Sequence, residues 1–522
     1  MWIVLGEEKG LIKLVSKEGT DGLLPIGAFV TIEENETKFI LQIVDTKQIE
    51  SYSPSPLVVD MNIAPAVQDR RTQNVIMAKR IADDSKREDG LIDYIRPLSV
   101  ARRSNQDEID KALGNEEEGP EVMLATVFAN QNNVLRDEQG KPITAKLPRD
   151  MFFHQIMICG KTGSGKTVGS KYLAQWFLET SVNGKPEGAV LAVNVKDVDF
   201  LQMERKSVVK NEQARKEWQQ LNIEATGIEN TTIYYPASVD VKTFKDVNTD
   251  YCKSVCLSAK DIDPEAMTGL IQGISDTAAQ QLPGIFRWWQ SKYGRTIENK
   301  FIDFVRYFQD GANDDRFFET QNALGENTGR IQLHAATYHN IVRCITKAEE
   351  FFDREGAEVI SAEDILEPGK LSVINVACSN GITFGATLLR QLLHQIVDEK
   401  SQQRSDVPIL IIIDEVHQFY NESSSREALG DLDTICRTGR SQEIGVIFSS
   451  QNPQDIPKGL SSVINTKIVF KSDVNAAKQL GSSFNSTDIE GMRKGFAAVS
   501  VNNMSQLKYV KFPISKAGVF EK

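Results

Sequence analysis

Phe153-His-Gln-Ile-Met-Ile-Cys159 runs directly into Gly160-Lys161-Thr162-Gly163-Ser164-Gly165-Lys166-Thr167, and helix-forming residues follow over Val168–Glu179. The eight central residues fit the phosphate-loop pattern G-x-x-x-x-G-K-[ST], with an apolar strand before it and a helix after it, as that pattern requires. Glycines let backbone N–H groups close around a β-phosphate, where side chains would obstruct them. The helix N-terminus adds partial positive charge. Lys166 can reach the β- and γ-phosphates, and the Thr167 hydroxyl can bind Mg²⁺. ATP with Mg²⁺ is the expected ligand.

A second stretch supplies the missing chemistry. Ile409-Leu-Ile-Ile-Ile413 ends in Asp414-Glu415. Five aliphatic residues in a row describe a strand buried on both faces, as in the middle of a parallel sheet. Carboxylates at its C-terminal end would then lie in the ligand crevice. Asp414 is expected to hold Mg²⁺ and Glu415 to act as general base towards the attacking water. His417, two residues on, is read as a packing or hydrogen-bonding residue. About 250 residues separate Lys166 from Asp414. A minimal RecA-type core needs far fewer, so residues 201–364 are expected to be a mainly helical insertion. That spacing excludes compact GTPases and small kinases and leaves large oligomeric motor ATPases.

Outward from these motifs, the first 60 residues alternate apolar and polar in short runs separated by turn residues, the pattern of a small β-barrel or sandwich. Residues 64–118 are charge-dense and read as a helical or polar excursion. Strands at Glu121–Phe128 and Lys141–Leu147 are expected to complete an N-terminal domain over 1–150. The fold class is thus α/β: a RecA-like phosphate-loop core over 151–200 and 365–522, preceded by a β-barrel-like domain and interrupted by the insertion.

Composition narrows the class without deciding it. The 522 residues include 72 acidic and 60 basic, a net charge of −12, so basic residues for a nucleic acid would have to be concentrated locally. Six scattered cysteines make no disulfide framework, and the Cys252/Cys256 pair lacks the partners of a zinc site. No basic segment leads into a long apolar one at the N-terminus. The longest aliphatic run, Val407 to Ile413, falls far short of the roughly 20 residues of a membrane helix. A cytoplasmic protein without membrane contact is expected.

Several further stretches resemble the FtsK/HerA superfamily of phosphate-loop pumps, and its HerA branch in particular. These are Asn194-Val-Lys196-Asp197-Val-Asp199-Phe200, Cys436-Arg437-Thr-Gly-Arg440-Ser-Gln-Glu-Ile-Gly445-Val, Phe448-Ser-Ser-Gln451-Asn-Pro453-Gln-Asp-Ile-Pro457 and Ile464-Asn-Thr466. Asn194 replaces an acid of the family's D-x-K-G-D/E stretch. The β-rich N-terminus resembles a HAS-barrel. The resemblance implies a hexameric ring that uses ATP to translocate double-stranded DNA, commonly beside a nuclease or a sirtuin-like effector, in DNA processing or antiviral defence. It also implies that Gln451 is a polar sensor and that Arg440, with Arg437 as the alternative, is an arginine finger. The basic residue often found before the phosphate-loop strand is not evident; His154 stands nearest. Two other functions share these motifs: a nucleotide-gated scaffold that assembles a partner enzyme, and a conjugation- or secretion-type pump.

Overall fold

A computed structural model of the protein describes residues 1–16, 24–34, 37–49, 73–85, 91–114, 118–128, 131–182, 185–196, 198–269, 273–294, 300–378, 381–416, 418, 435, 439–456, 464–473, 486–501 and 509–521. Among these, two β systems organise the chain. The first is a closed antiparallel barrel in the order Trp2–Glu8, Leu11–Ser16, Gln73–Asp83, Thr37–Ile49, Phe29–Glu34 and Val100–Arg103, the last pairing back to the first. Alternation decides its inside: Val4, Ile12, Leu14, Val30, Ile32, Leu41, Ile76, Ala78 and Ala101 are all buried.

Two of these strands lie in the 64–118 stretch expected to be a helical or polar excursion. Gln73–Asp83 and Val100–Arg103 are barrel strands, and among the described residues of that stretch only Gln106–Leu113 is helical. Charge density hid them, because their polar positions face out while Ile76, Ala78 and Ala101 face in. The helix is tied to the barrel by a capping box, in which the Asn105 side chain accepts from the Glu108 amide and Glu108 from the Asn105 amide. The buried Glu108 carboxylate also accepts from Thr31 Oγ1 at 2.9 Å and from two nitrogens of Arg102 at 2.6 and 3.0 Å.

The second system is a 13-stranded sheet. Its parallel part runs Cys252–Val255, Thr231–Pro236, Leu371–Asn375, Ala189–Asn194, Ile409–Ile413, Ile444–Ser450, Ile156–Cys159 and Thr466–Phe470. Antiparallel strands Phe496–Ser500, Tyr509–Lys511, Glu121–Phe128 and Gln131–Val134 continue it, with Thr144–Lys146 beside Glu121–Phe128. The strand over Glu121–Phe128, expected to complete the N-terminal domain, therefore belongs to the core sheet.

Alternation along Ile409–Ile413 divides the core between two helices. Ile409, Ile411 and Ile413 share an apolar cluster with Leu388 and Leu392 of helix Gly381–Ser401. Leu410 and Ile412 share another with Leu173 and Phe177 of helix Lys166–Glu179. The segment 201–364 is not purely helical, since it gives the sheet Thr231–Pro236 and Cys252–Val255. Helices Asp276–Trp289, Phe301–Asp310 and Ala335–Ala348 then gather around Phe286, Phe304, Phe308 and Phe318, with Phe308 stacked on Phe318 at 4.5 Å. Among the described residues no helix is long and apolar enough to cross a membrane.

Glu108 makes a test of the barrel. Burial pushes its carboxyl up, but hydrogen bonds from Arg102, the Asn105 amide and Thr31 outweigh that and hold it at about 2, against an ordinary 4.5. A carboxyl depressed on folding favours the folded state above its unfolded value and loses that contribution as pH falls through the folded one. Glu108→Gln is expected to cost about 2 kcal/mol at neutral pH. It should also flatten the loss of stability between pH 4.5 and 2, read by urea melts across that range.

Candidate nucleotide site

The expected strand over Phe153–Cys159 is shorter than its apolar run. Arg149–His154 forms a 3₁₀ turn after Pro148, held by Phe152 stacked on Trp176 at 5.6 Å, and the strand proper is Ile156–Cys159. All four of its residues are buried between Ile444–Ser450 and Thr466–Phe470. The chain then turns sharply. The Gly160 amide donates to Ser450 O at 3.3 Å and the Lys161 amide to Lys471 O at 2.7 Å. Gly163 and Gly165 take φ of 79° and 112°, the left-handed region where a side chain is strained. Gly165 caps helix Lys166–Glu179 without any side-chain hydrogen bond, so the first helical amides face the loop. Lys161, Thr162 and Gly163 are exposed, whereas Ser164 and Lys166 are buried. This cradle fits a triphosphate.

Lys166 Nζ donates to the Gly160 carbonyl, folded back across its own loop. Burial pulls its ammonium below the ordinary lysine value, against the opposing charges of Glu415 and Asp414. Those acids stand where the buried strand Ile409–Ile413 ends. Asp414 is buried, and desolvation pushes its carboxyl up, with Glu415 adding to the effect and Ser449 and Lys196 opposing it. Glu415 is 1% exposed and adopts φ 45°. Burial pushes its carboxyl up as well, yet hydrogen bonds from Lys196 and Gln451 and the charge of Lys166 bring it below the usual range. Gln451 Nε2 donates to Glu415 Oε1 at 3.2 Å. Lys196 Nζ forms an ion pair with the same oxygen. With Thr167 half-buried at the helix start, its hydroxyl and the Asp414 carboxylate are hard oxygen donors of the kind Mg²⁺ takes alongside phosphate and water.

The structure thus brings together the loop Gly160–Thr167, the pair Asp414 and Glu415, and Gln451. It does not bring Arg440 to them. Arg440 is exposed on the 3₁₀ turn Gly439–Gln442, before the seven-residue strand Ile444–Ser450 whose far end meets the phosphate loop. A strand of that length spans about 20 Å. His154 lies at that same distant edge, where burial and the charge of Arg440 lower its pKa, so it gives its own chain's phosphates no second cation. Arg437, His417 and Asp197 lie outside the described residues. Lys196 went unassigned as a site residue. The signal was present in the Asn194–Phe200 stretch, but its partner is 219 residues away.

No family model matches the chain. It is similar to the DNA double-strand break repair helicase HerA of Sulfurisphaera tokodaii, 29% identical over 137 residues, 24% of this chain and 28% of the relative. It is also similar to the protein of that name from Pyrococcus furiosus, 23% identical over 283 residues, 46% of this chain and 51% of the relative. The chain spans about half the length, or less, of these curated relatives. Among solved structures, the bacterial conjugative coupling protein TrwBdeltaN70 is 12% identical with a TM-score of 0.49, over 80% of this chain and 93% of that one. VirB4 of Thermoanaerobacter pseudethanolicus is 11% identical with a TM-score of 0.45, over 76% and 97%.

A late loop presses onto the phosphate cradle: the Gly495 amide donates to Ser164 O at 2.9 Å. A Cβ on Gly165 would stand 3.0 Å from Gly495 N and 3.2 Å from its Cα, both backbone atoms. Gly165→Ala is therefore expected to weaken binding of a fluorescent ATP analogue by about tenfold or more, the cost of a strained backbone at a ligand clamp. Fluorescence titration beside a thermal melt separates that loss from unfolding.

Proposed function

We propose that this chain is an ATP-hydrolysing ring motor that translocates double-stranded DNA. The observation that carries the reading is the meeting of a phosphate loop with a buried acid, Glu415, at the C-terminal ends of parallel strands on either side of Ile444–Ser450. In this reading the loop amides and Lys166 grip the phosphates, and Thr167 and Asp414 hold Mg²⁺, which when bound neutralises charge on the transferring phosphoryl group. Glu415 takes the proton of the attacking water, and Gln451, bonded to the same carboxylate, orients that water. Sequestered from bulk solvent and held by fixed donors, the carboxylate needs little reorganisation at the moment of reaction.

Arg440 acts on a neighbouring subunit. Its place at the sheet edge remote from its own phosphate loop supports a finger supplied in trans, and closed cyclic symmetry provides one at every interface. A hexamer is the ring we favour. The name of the curated relatives, a DNA double-strand break repair helicase, supports duplex DNA as the cargo. With a net charge of −12, the basic residues that track the phosphates must be concentrated on the channel surface. Binding is then sequence-tolerant and weakens steeply with salt. The motor works in the cytoplasm beside a nuclease or sirtuin-like effector, in DNA processing or antiviral defence.

Steady-state ATPase assays with and without duplex DNA at low salt test the whole reading. A rate indifferent to DNA, with the effector present, would overturn the translocase. Glu415→Gln should retain Mg-ATP while losing about 100-fold or more in turnover, as for removal of a general base. Hydrolysis by that variant at the parental rate would exclude Glu415 as the base.

Removing an arginine finger costs on the order of a thousandfold in turnover. Arg440→Ala should therefore be nearly inactive but still bind nucleotide and assemble. Mixed with inactive Lys166→Ala subunits, it should regain activity at interfaces that pair an intact loop with an intact arginine. Absence of complementation in rings proven mixed by native mass spectrometry would place the finger elsewhere.

A further inference from the structure

The sheet sets two chain segments side by side as they leave it. Ala189–Asn194 pairs in parallel with Ile409–Ile413, Val193 opposite Ile413, so the residues just beyond both strands emerge into the same crevice. One segment delivers Glu415, the other Lys196. The bend carrying Lys196 is fixed from within: buried Asn194 donates through Nδ2 to Lys196 O at 3.1 Å and to Asn375 Oδ1 at 3.2 Å, and accepts from the Phe200 amide at 3.1 Å. The backbone is anchored, but the Lys196 side chain is 41% exposed while its partner Glu415 is 1% exposed. Its charge is felt by both Lys166 and Asp414, which places two ammonium groups and two carboxylates in one electrostatic cluster at the mouth of the phosphate loop.

We propose that Lys196 is a second terminal-phosphate-binding cation that exchanges Glu415 for the γ-phosphate. This rests on the ATP-hydrolysing reading and names a residue that reading leaves out. An ammonium on a flexible four-carbon stem can change partner without moving the backbone. A triphosphate brings several negative charges into the crevice, and Lys196, turning from Glu415 Oε1 to a γ-phosphate oxygen, exchanges one charge-assisted hydrogen bond for another. The same movement leaves the Glu415 carboxylate to Gln451 and the attacking water. ADP has no γ-phosphate and leaves Lys196 where it is. Lys196 thereby makes the site discriminate ATP from ADP, and it supplies the second positive charge that His154 cannot.

The test is isothermal titration of the full chain, with Mg²⁺, against a non-hydrolysable ATP analogue and separately against ADP. Lys196→Met should weaken the analogue about tenfold, the loss of one hydrogen bond to a charged group, and leave ADP nearly unchanged. Lys196→Arg should restore most of the difference, and turnover of Lys196→Met should fall. Equal weakening of both nucleotides in a variant that melts normally would assign Lys196 a supporting role only. Unchanged analogue affinity, or a rise in turnover, would equally overturn the proposal. If the parent chain binds neither nucleotide, the ATP reading fails first and this inference with it. If the parent binds and hydrolyses ATP while Lys196→Met discriminates as well as the parent, only the inference fails.

Discussion

Burial of Ile409–Ile413 on both faces is the constraint on which the rest of the structure depends. Each of the five residues is at most 1% exposed, and no single layer of cover could achieve that. Apolar side chains at alternate positions point to opposite faces, so the strand needs a helix above and a helix below. Lys166–Glu179 and Gly381–Ser401 meet the need. The first of these begins at the phosphate loop, so satisfying the strand's hydrophobic demand also brings the loop to the strand's end. Asp414 and Glu415 follow immediately, where the chain can no longer stay apolar. Packing and chemistry share one geometric solution.

At that point the electrostatics run against burial. Desolvation works against the charged forms of Asp414, Glu415 and Lys166 alike; opposite charges close by and hydrogen bonds from Ser449, Lys196 and Gln451 oppose it. The outcome differs for the two acids. Glu415, with Lys196 and Gln451 on one oxygen, is held ionised; at Asp414 desolvation and the charge of Glu415 prevail and push it the other way. Neighbouring carboxylates driven apart in this way can take different roles, one as proton acceptor and the other dependent on an added cation.

Much of this was legible in the primary structure because the signals were local. The phosphate loop, the five-residue aliphatic run and the helix after the loop each occupy one short window, and all three stand where they were read. What was not legible depended on distant partners. Gln73–Asp83 looks like a polar stretch until Thr37–Ile49 and Leu11–Ser16 lie on either side of it. Thr231–Pro236 and Cys252–Val255 are sheet strands within a segment dominated by helix formers, and only their pairing reveals them. Lys196 belongs to the same class, because its meaning lies in the oxygen it meets. Sensor and acid were read separately as Gln451 and Glu415; that they share a hydrogen bond is a property of the sheet.

The antiparallel margin of the large sheet has a consequence for how the chain acquires its structure. Glu121–Phe128 forms its core-sheet bond with Tyr509–Lys511, Val510 facing Leu124, nearly four hundred residues later in the chain. During synthesis the barrel can close from residues before 104, but the strand at 121–128 waits, apolar and unpaired on that side, until the last strands emerge. Contacts of such long range are slow to form and leave strand edges open to misassociation in the interval. The Thr144–Lys146 strand and the hairpin partner Gln131–Val134 cover part of Glu121–Phe128 with local pairings available early. They lie along the opposite edge, so the edge that Tyr509–Lys511 fills stays open until that strand emerges.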